Sequence, residues 1–257
     1  MSGRSRVFVL LAIGLAGGIL SGMFGVGGGI ILVPLLVTFA GLDQRAAAAT
    51  SLLAILPSSI AGSITYLAHG EADLLAAGVI AVGAVAGSLI GTRLLRKLPL
   101  GWLRWGFIAL LVIVAIRMLF VAPERGDSLD FTLLVALGYV GLGLVMGIAS
   151  GLFGIGGGVI AVPALVALFG ISDLIAKGTS LLVMIPTSVV GTISNSRSGL
   201  VQVRTGLIVG VAAAASSVLG SFIALALPPR LSSILFAVLL ILVSVQLTVK
   251  AIRARKA

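Results

Sequence analysis

A fourteen-residue phrase occurs twice in this chain, offset by 129 positions. Ser21-Gly22-Met23-Phe24-Gly25-Val26-Gly27-Gly28-Gly29-Ile30-Ile31-Leu32-Val33-Pro34 returns as Ser150-Gly151-Leu152-Phe153-Gly154-Ile155-Gly156-Gly157-Gly158-Val159-Ile160-Ala161-Val162-Pro163, with ten positions identical. Each copy sets Gly-x-Gly-Gly-Gly inside an apolar stretch. Glycine is worse than alanine in a helix by about 1 kcal/mol and admits the left-handed backbone that other residues avoid. Each phrase therefore interrupts a helix. In lipid such a break is tolerated only where it faces protein or a cavity. Two matched breaks at corresponding places in two halves point to one shared binding site.

The rest of the chain puts that pair in a bilayer. Of its residues 60% are apolar and 9% charged, against about 25% charged in a soluble domain. The formal net charge of +10 does not indicate nucleic acid: basic and aromatic residues do not interleave, and Lys and Arg gather at segment ends, where they set membrane orientation. With no cysteine, disulfides, thiolate catalysis and cysteine-held metals are excluded. No metal or cofactor site is expected. Arg4 and Arg6 before an apolar run from Val7 imitate a signal peptide. But Gly14-Leu15 and Gly18 recur as Gly143-Leu144 and Gly147, so the first segment belongs to the repeat and is expected to remain in the mature protein.

Apolar stretches fall at 7–24, 27–40, 46–67, 74–95 and 103–120, then at 131–152, 157–169, 178–194, 206–227 and 232–249. The repeat continues beyond the glycine phrase: Thr50-Ser51-Leu52-Leu53 matches Thr179-Ser180-Leu181-Leu182, Pro57 matches Pro186, and Leu98-Pro99 matches Leu227-Pro228. Between the fourth and ninth stretches the register slips, setting Gly87-Ser88 against Gly220-Ser221. The expected fold is all-α and polytopic, with two inverted five-segment repeats, 1–120 and 131–257, joined by a linker, 121–130, that carries Glu124, Arg125, Asp127 and Asp130. An odd segment count inverts the second repeat. With both termini cytoplasmic, Arg4, Arg6, Arg93, Arg96, Lys97, Arg104, Arg197, Arg204 and the C-terminal cations share the inner side, while His69, Glu71 and Asp73 lie outside. That is the charge bias of an inner-membrane protein. Taken as one helix, residues 7–40 would run about 51 Å against a hydrocarbon core near 30 Å. A hairpin of two arms, spanning or re-entrant, fits better.

At each break the half-helix that follows begins at the glycines, so its free N–H groups and positive dipole end face the break. Consecutive main-chain amides there can cradle an anion. Gly25, Gly27, Gly28 and Gly29, with Gly154, Gly156, Gly157 and Gly158, are the candidate substrate-binding residues, and inversion brings the two sets face to face. Thr50, Ser51, Thr179 and Ser180 join them, as hydroxyl donors or as helix N-caps. Pro34, Pro57, Pro163 and Pro186 are expected to kink their helices, with Ser58, Ser59, Thr187 and Ser188 satisfying freed backbone. Glycines at four-residue spacing, Gly14/Gly18/Gly22, Gly87/Gly91 and Gly143/Gly147/Gly151, read instead as close helix contacts.

On the doubled Gly-x-Gly-Gly-Gly…Val-Pro phrase and the Thr-Ser-Leu…Pro phrase after it, the chain resembles the sulfite exporter TauE/SafE family, also called the 4-toluene sulfonate uptake permeases. The likeness covers nearly the whole chain. It implies a transporter in the bacterial inner membrane, with a small sulfur oxyanion such as sulfite, or an organosulfonate, as its cargo.

Several polar residues have plainer readings. Tyr66 and its counterpart Asn195 are expected at the membrane interface, as are Trp102 and Trp105 beside Arg104. Arg45 and Lys177 are expected to snorkel, and His69 to be solvated. All seven acids lie in loops or at segment ends, leaving no mid-membrane proton relay. A neutral interior rich in N–H and hydroxyl donors favours an anion. An intramembrane protease is disfavoured: there is no Gly-x-Ser-Gly, no paired intramembrane aspartate and no His/Cys cluster. The chain is expected not to be an enzyme. An anion channel, an ion-coupled uptake permease and a structural subunit remain as alternatives.

Overall fold

A computed structural model describes residues 3–120 and 132–256 of the chain. The expected linker, with Glu124, Arg125, Asp127 and Asp130, lies outside the described residues, as do the side chains of Arg4, Lys250, Arg253, Arg255 and Lys256. The described residues form ten helices and no strand: α1 (Gly3–Phe24), α2 (Gly29–Phe39), α3 (Gln44–Ala68), α4 (Leu74–Lys97), α5 (Leu100–Phe120), α6 (Leu133–Phe153), α7 (Gly158–Phe169), α8 (Asp173–Ser196), α9 (Val203–Ala226) and α10 (Pro229–Lys256). Eight are long and apolar enough to cross a membrane; α2 and α7 are the short pair. This is a multi-pass membrane protein.

Several helices start at a polar residue that caps them. Asp43 accepts the Arg45 and Ala46 N–H groups at the head of α3, Asp73 accepts Ala76 N–H at α4, and Ser172 accepts Ile175 N–H at α8. Such caps satisfy first-turn donors that the helix itself cannot. Thr50-Ser51 and Thr179-Ser180 are therefore not caps of their own helices: each pair lies inside its helix. The eighth segment also begins at Asp173, not 178.

The glycine ladders pack helices across the two halves. A methyl built on Gly14, Gly18 or Gly22 of α1 would strike α9 at the Val209, Ala213 and Ser217 carbonyls in turn. On Gly143, Gly147 and Gly151 of α6 it would strike α4 at Ile80, Ala84 and Ser88. Both pairs run parallel, because the numbers rise together, and both keep the 129 offset. The offset holds through α4 and α9 too: Gly91 meets Ile148 and Leu152 where Gly220 meets Ile19 and Met23. The register slip expected there does not occur. A loose Gly-Ser match hid the true partners, Gly91 and Gly220.

Three large apolar cores result, each drawing on both halves, beside a small cluster of Ala48, Leu95 and Leu103. One joins α1, α2, α3 and α9 through Leu10, Leu36, Leu52 and Val209, with Leu181 and Met184 of α8 reaching into it. A second joins α4, α6, α7 and α8 through Ile80, Met146, Leu165 and Val183. The third joins α5 and α10 to the two breaks through Phe24, Phe107, Phe153 and Phe236. Phe24 packs on Phe236 with centroids 5.0 Å apart, and Phe107 on Phe153 at 5.5 Å. The two sequence halves are thus interlocked.

Charge is sorted along the bundle. Arg45 donates to the Leu98 carbonyl at 2.7 Å, and Arg96 donates to Ser194 and Ser198. Those bonds, and the loop carrying Arg197 and Arg204, place Arg45, Arg93, Arg96, Arg197 and Arg204 at one end. Arg6 joins them, lining a hollow with Arg204. His69, Glu71, Asp73, Arg117, Asp173 and Arg230 mark the other end. Trp102 is 74% exposed, as a lipid-facing anchor would be.

Candidate functional site

Both helices enter their glycine phrase and stop. Gly25, Gly27 and Gly28 have φ of 67°, 72° and 71°; Gly154, Gly156 and Gly157 have φ of 71°, 76° and 92°. This left-handed backbone is open to glycine and costly elsewhere. Gly29 and Gly158 are not left-handed; each is the first helical residue of its half-helix. After the first break α2 folds back along α1, so that Gly28 lies against the Gly17 backbone and the Leu32 side chain covers Gly17. In the second repeat Gly157 lies against Met146 of α6, the position that matches Gly17.

The main-chain donors at these turns are left over. Gly25 N–H is taken by the Ser21 carbonyl and Gly154 N–H by Ser150. Among the described residues, no main-chain carbonyl accepts the N–H of Gly27 and Gly28, or of Ile155, Gly156 and Gly157. The first-turn donors of α2 and α7 have no side-chain cap either. All these residues are buried. Orphaned buried N–H groups are rare in proteins, and here two runs of them occur together with two positive helix ends.

The two runs meet. A methyl on Gly29 would lie 2.5 Å from Ile155 Cα, and one on Gly158 would lie 2.7 Å from Val26 Cα. Two side chains stand between them. A methyl on Gly27 would lie 2.7 Å from Met184 Sδ and 3.0 Å from Ile55 Cγ2; on Gly156 the same atoms are 3.0 and 3.3 Å away. Ile55 and Met184 are themselves matched by the repeat offset, and both are wholly buried near the middle of α3 and α8. Sequence reasoning missed this pair. The signal was present, since each stands two residues before its repeat's matched proline, Pro57 or Pro186, but an Ile/Met pair reads as ordinary core.

Of the candidate hydroxyls, Ser51 and Ser180 reach the breaks and Thr50 and Thr179 do not. Ser180 Oγ donates to the Gly25 carbonyl at 2.8 Å, and Ser51 Oγ donates to the Gly154 carbonyl at 2.6 Å. Each helix thus pins the break of the other repeat. Thr50 accepts Gln202 N–H and Thr179 accepts Asp73 N–H, both at 3.0 Å, at the heads of α9 and α4. Ser21 and Ser150, which open the two phrases, are wholly buried with no partner for either hydroxyl. Replacing Ser51 or Ser180 by alanine strands a buried carbonyl, at a cost of about 1–3 kcal/mol. The two single variants are expected to lower the unfolding temperature by similar amounts in a thermal melt; a loss confined to one would show that the two pins are not equivalent.

Pro34, Pro57, Pro163 and Pro186 lie inside α2, α3, α7 and α8, which continue through them. Ser58 donates to the Ile55 carbonyl, and Thr187 to those of Val183 and Met184. Ser59 reaches only the Met184 sulfur, at 3.8 Å, and Ser188 has no partner.

Three interfacial expectations are corrected. Tyr66 is wholly buried and donates to the Gly22 carbonyl at 2.8 Å. Its counterpart Asn195 is also wholly buried, and neither amide atom has a partner. Lys177 does not snorkel: it is 2% exposed, with Nζ 2.6 Å from Asp173 and 2.7 Å from Ser232 Oγ. The helix starts earlier than hydropathy suggests, which carries both charges into it. Removing the tyrosine hydroxyl with Tyr66→Phe is expected to cost about 1–3 kcal/mol. Asn195→Leu removes a buried amide that has no partner, so it is expected to be neutral or stabilising. Thermal melts of the two variants check this; a destabilised Asn195→Leu would show that the amide is paired.

Comparisons with known proteins agree on one family. The family described as sulfite exporter TauE/SafE matches residues 1–118 and 139–257. The chain is 25% identical over 218 residues to the probable membrane transporter protein YunE of Bacillus subtilis (strain 168), covering 76% of this chain and 80% of the relative. It is 29% identical over 188 residues to the probable membrane transporter protein YdhB of the same strain, covering 72% and 77%. It is 33% identical over 97 residues to sulfite exporter TauE/SafE family protein 1 of Arabidopsis thaliana, covering 38% and 21%.

Proposed function

This chain belongs to the sulfite exporter TauE/SafE family of membrane transporters, and on that premise we propose that it carries a small sulfur-containing anion, sulfite or a related oxyanion or sulfonate, out of the cell. One observation carries the reading: two facing runs of buried main-chain N–H groups without acceptors, each at the positive end of a half-helix. Such a site holds an oxyanion through donors and dipole alone, with no need for a fixed cation. Gly27, Gly28, Gly156 and Gly157 present the donors, and Ser51 and Ser180 hold the breaks in place. The unpartnered hydroxyls of Ser21 and Ser150 add two more donors beside them.

In this reading residues 1–120 and 131–257 are inverted repeats, but the moving bodies are the interlocked bundles. One is α1, α2, α3 and α9; the other is α4, α6, α7 and α8. The first break belongs to one body and the second to the other, so rocking them apart opens the site to one face at a time. Ile55 and Met184 close the centre between the two open states. The arginine-rich end faces the cytoplasm of a bacterial inner membrane, as positive charge bias requires. Each negative charge that leaves at −100 mV gains about 2.3 kcal/mol, so export needs no coupling ion.

The test is transport of labelled sulfite, sulfate, thiosulfate and a small sulfonate in sealed vesicles of known orientation. Saturable flux of a sulfur anion with counterflow is expected. Saturation and counterflow separate a carrier from a channel, and an absence of flux for every sulfur anion in both directions defeats the proposal.

A further inference from the structure

We propose that the cleft between α4 and α8 at the arginine-rich end binds the headgroup of an anionic glycerophospholipid. This inference does not depend on what the protein transports. The cleft has a volume of about 340 Å³ and is lined by Arg93, Arg96, Arg197, Ser194 and Ser198 together with Leu89, Val190 and Ile193. It holds three guanidinium groups and no acid. Among the described residues neither Arg93 nor Arg197 has an ion-pair partner, and the ion pair found there, Lys177–Asp173, lies at the opposite end. Arg96 is positioned by bonds from one nitrogen to Ser194 and Ser198, which leaves the rest of its fork to face a ligand.

The order of side chains along both helices matches a lipid. Leu89 stands one turn below Arg93 on α4, and Ile193 one turn below Arg197 at the end of α8. They are 40% and 50% exposed. One helical turn is about 5.4 Å, so on both walls an arginine lies one turn nearer the end of the bundle than an exposed apolar residue. A phosphodiester among the guanidiniums would lay its acyl chains along Leu89, Val190 and Ile193. A vestibule for a free anion has no use for outward-facing apolar walls. Guanidinium groups suit phosphate oxygens because their paired donors match them in geometry.

The experiment is native mass spectrometry of the full-length protein, offered phosphatidylglycerol and phosphatidylcholine of equal chain length in competition. Wild type is expected to retain phosphatidylglycerol selectively. At about fivefold per guanidinium near a membrane surface, Arg93→Gln with Arg197→Gln is expected to weaken that retention by tens of fold. Arg230→Gln at the other end is expected to leave it unchanged. Equal retention of the two lipids by wild type overturns the proposal without any variant. Undiminished retention by the double variant also overturns it, and displacement of the lipid by millimolar sulfite or phosphate assigns the cleft to a soluble oxyanion instead.

Discussion

Alanine at both Gly27 and Gly156 is expected to abolish anion flux, while each single variant still inserts in the membrane. The two residues have φ of 72° and 76°, where a side chain costs about 1–2 kcal/mol. The added methyl groups would also press on the same Met184 sulfur, at 2.7 and 3.0 Å, and overpacking of this kind costs about 1–3 kcal/mol. Relief of either strain turns the peptide planes and moves the N–H groups. A displacement of about 1 Å in a site group can cost about 100-fold in rate, so flux per folded molecule should fall at least that far. Met184→Ala separates the two causes. It frees the space but leaves the left-handed backbone, so in the Gly27→Ala background it is expected to relieve the crowding at the sulfur but not to restore flux. Full recovery of flux would show that crowding, not amide geometry, was the fault.

Lys177→Met is expected to be the most destabilising single substitution outside the glycine phrases. It leaves the Asp173 carboxylate, 5% exposed, without its cation, and an uncompensated buried charge costs about 3–5 kcal/mol. In a protein of this size that is a fall of roughly 10 °C in unfolding temperature. Asp173→Asn in the same chain is expected to return most of the loss, because the pair is then replaced rather than broken. A thermal melt of the single and double variants measures this. If Lys177→Met melts with wild type, the ion pair is not buried as described.

The sequence showed the breaks more clearly than what surrounds them. Three glycines in a row admit few backbone solutions, so the positions of both breaks and the short arms after them were readable, and the four-residue glycine spacing correctly named close helix contacts. Which helices those glycines meet was not readable, because a ladder of small residues specifies a close partner without identifying it. Hence the pairing of α1 with α9 and of α6 with α4 emerged only in three dimensions. Burial was misjudged where a polar residue finds its partner on another element or in an unexpected turn of its own. Tyr66 looks interfacial until the Gly22 carbonyl is placed beside it, and Lys177 until Asp173 and Ser232 are. Thr50 and Ser51 are adjacent in sequence, yet one holds the head of α9 and the other holds the second break.

The most direct test is to determine the structure with selenate or selenite, whose selenium marks an oxyanion by its anomalous scattering. One strong selenium peak is expected between the two breaks, within hydrogen-bond distance of main-chain N–H groups from both 26–29 and 155–158. A peak confined to the arginine-rich end, or glycine stretches that run as unbroken helix, would contradict it.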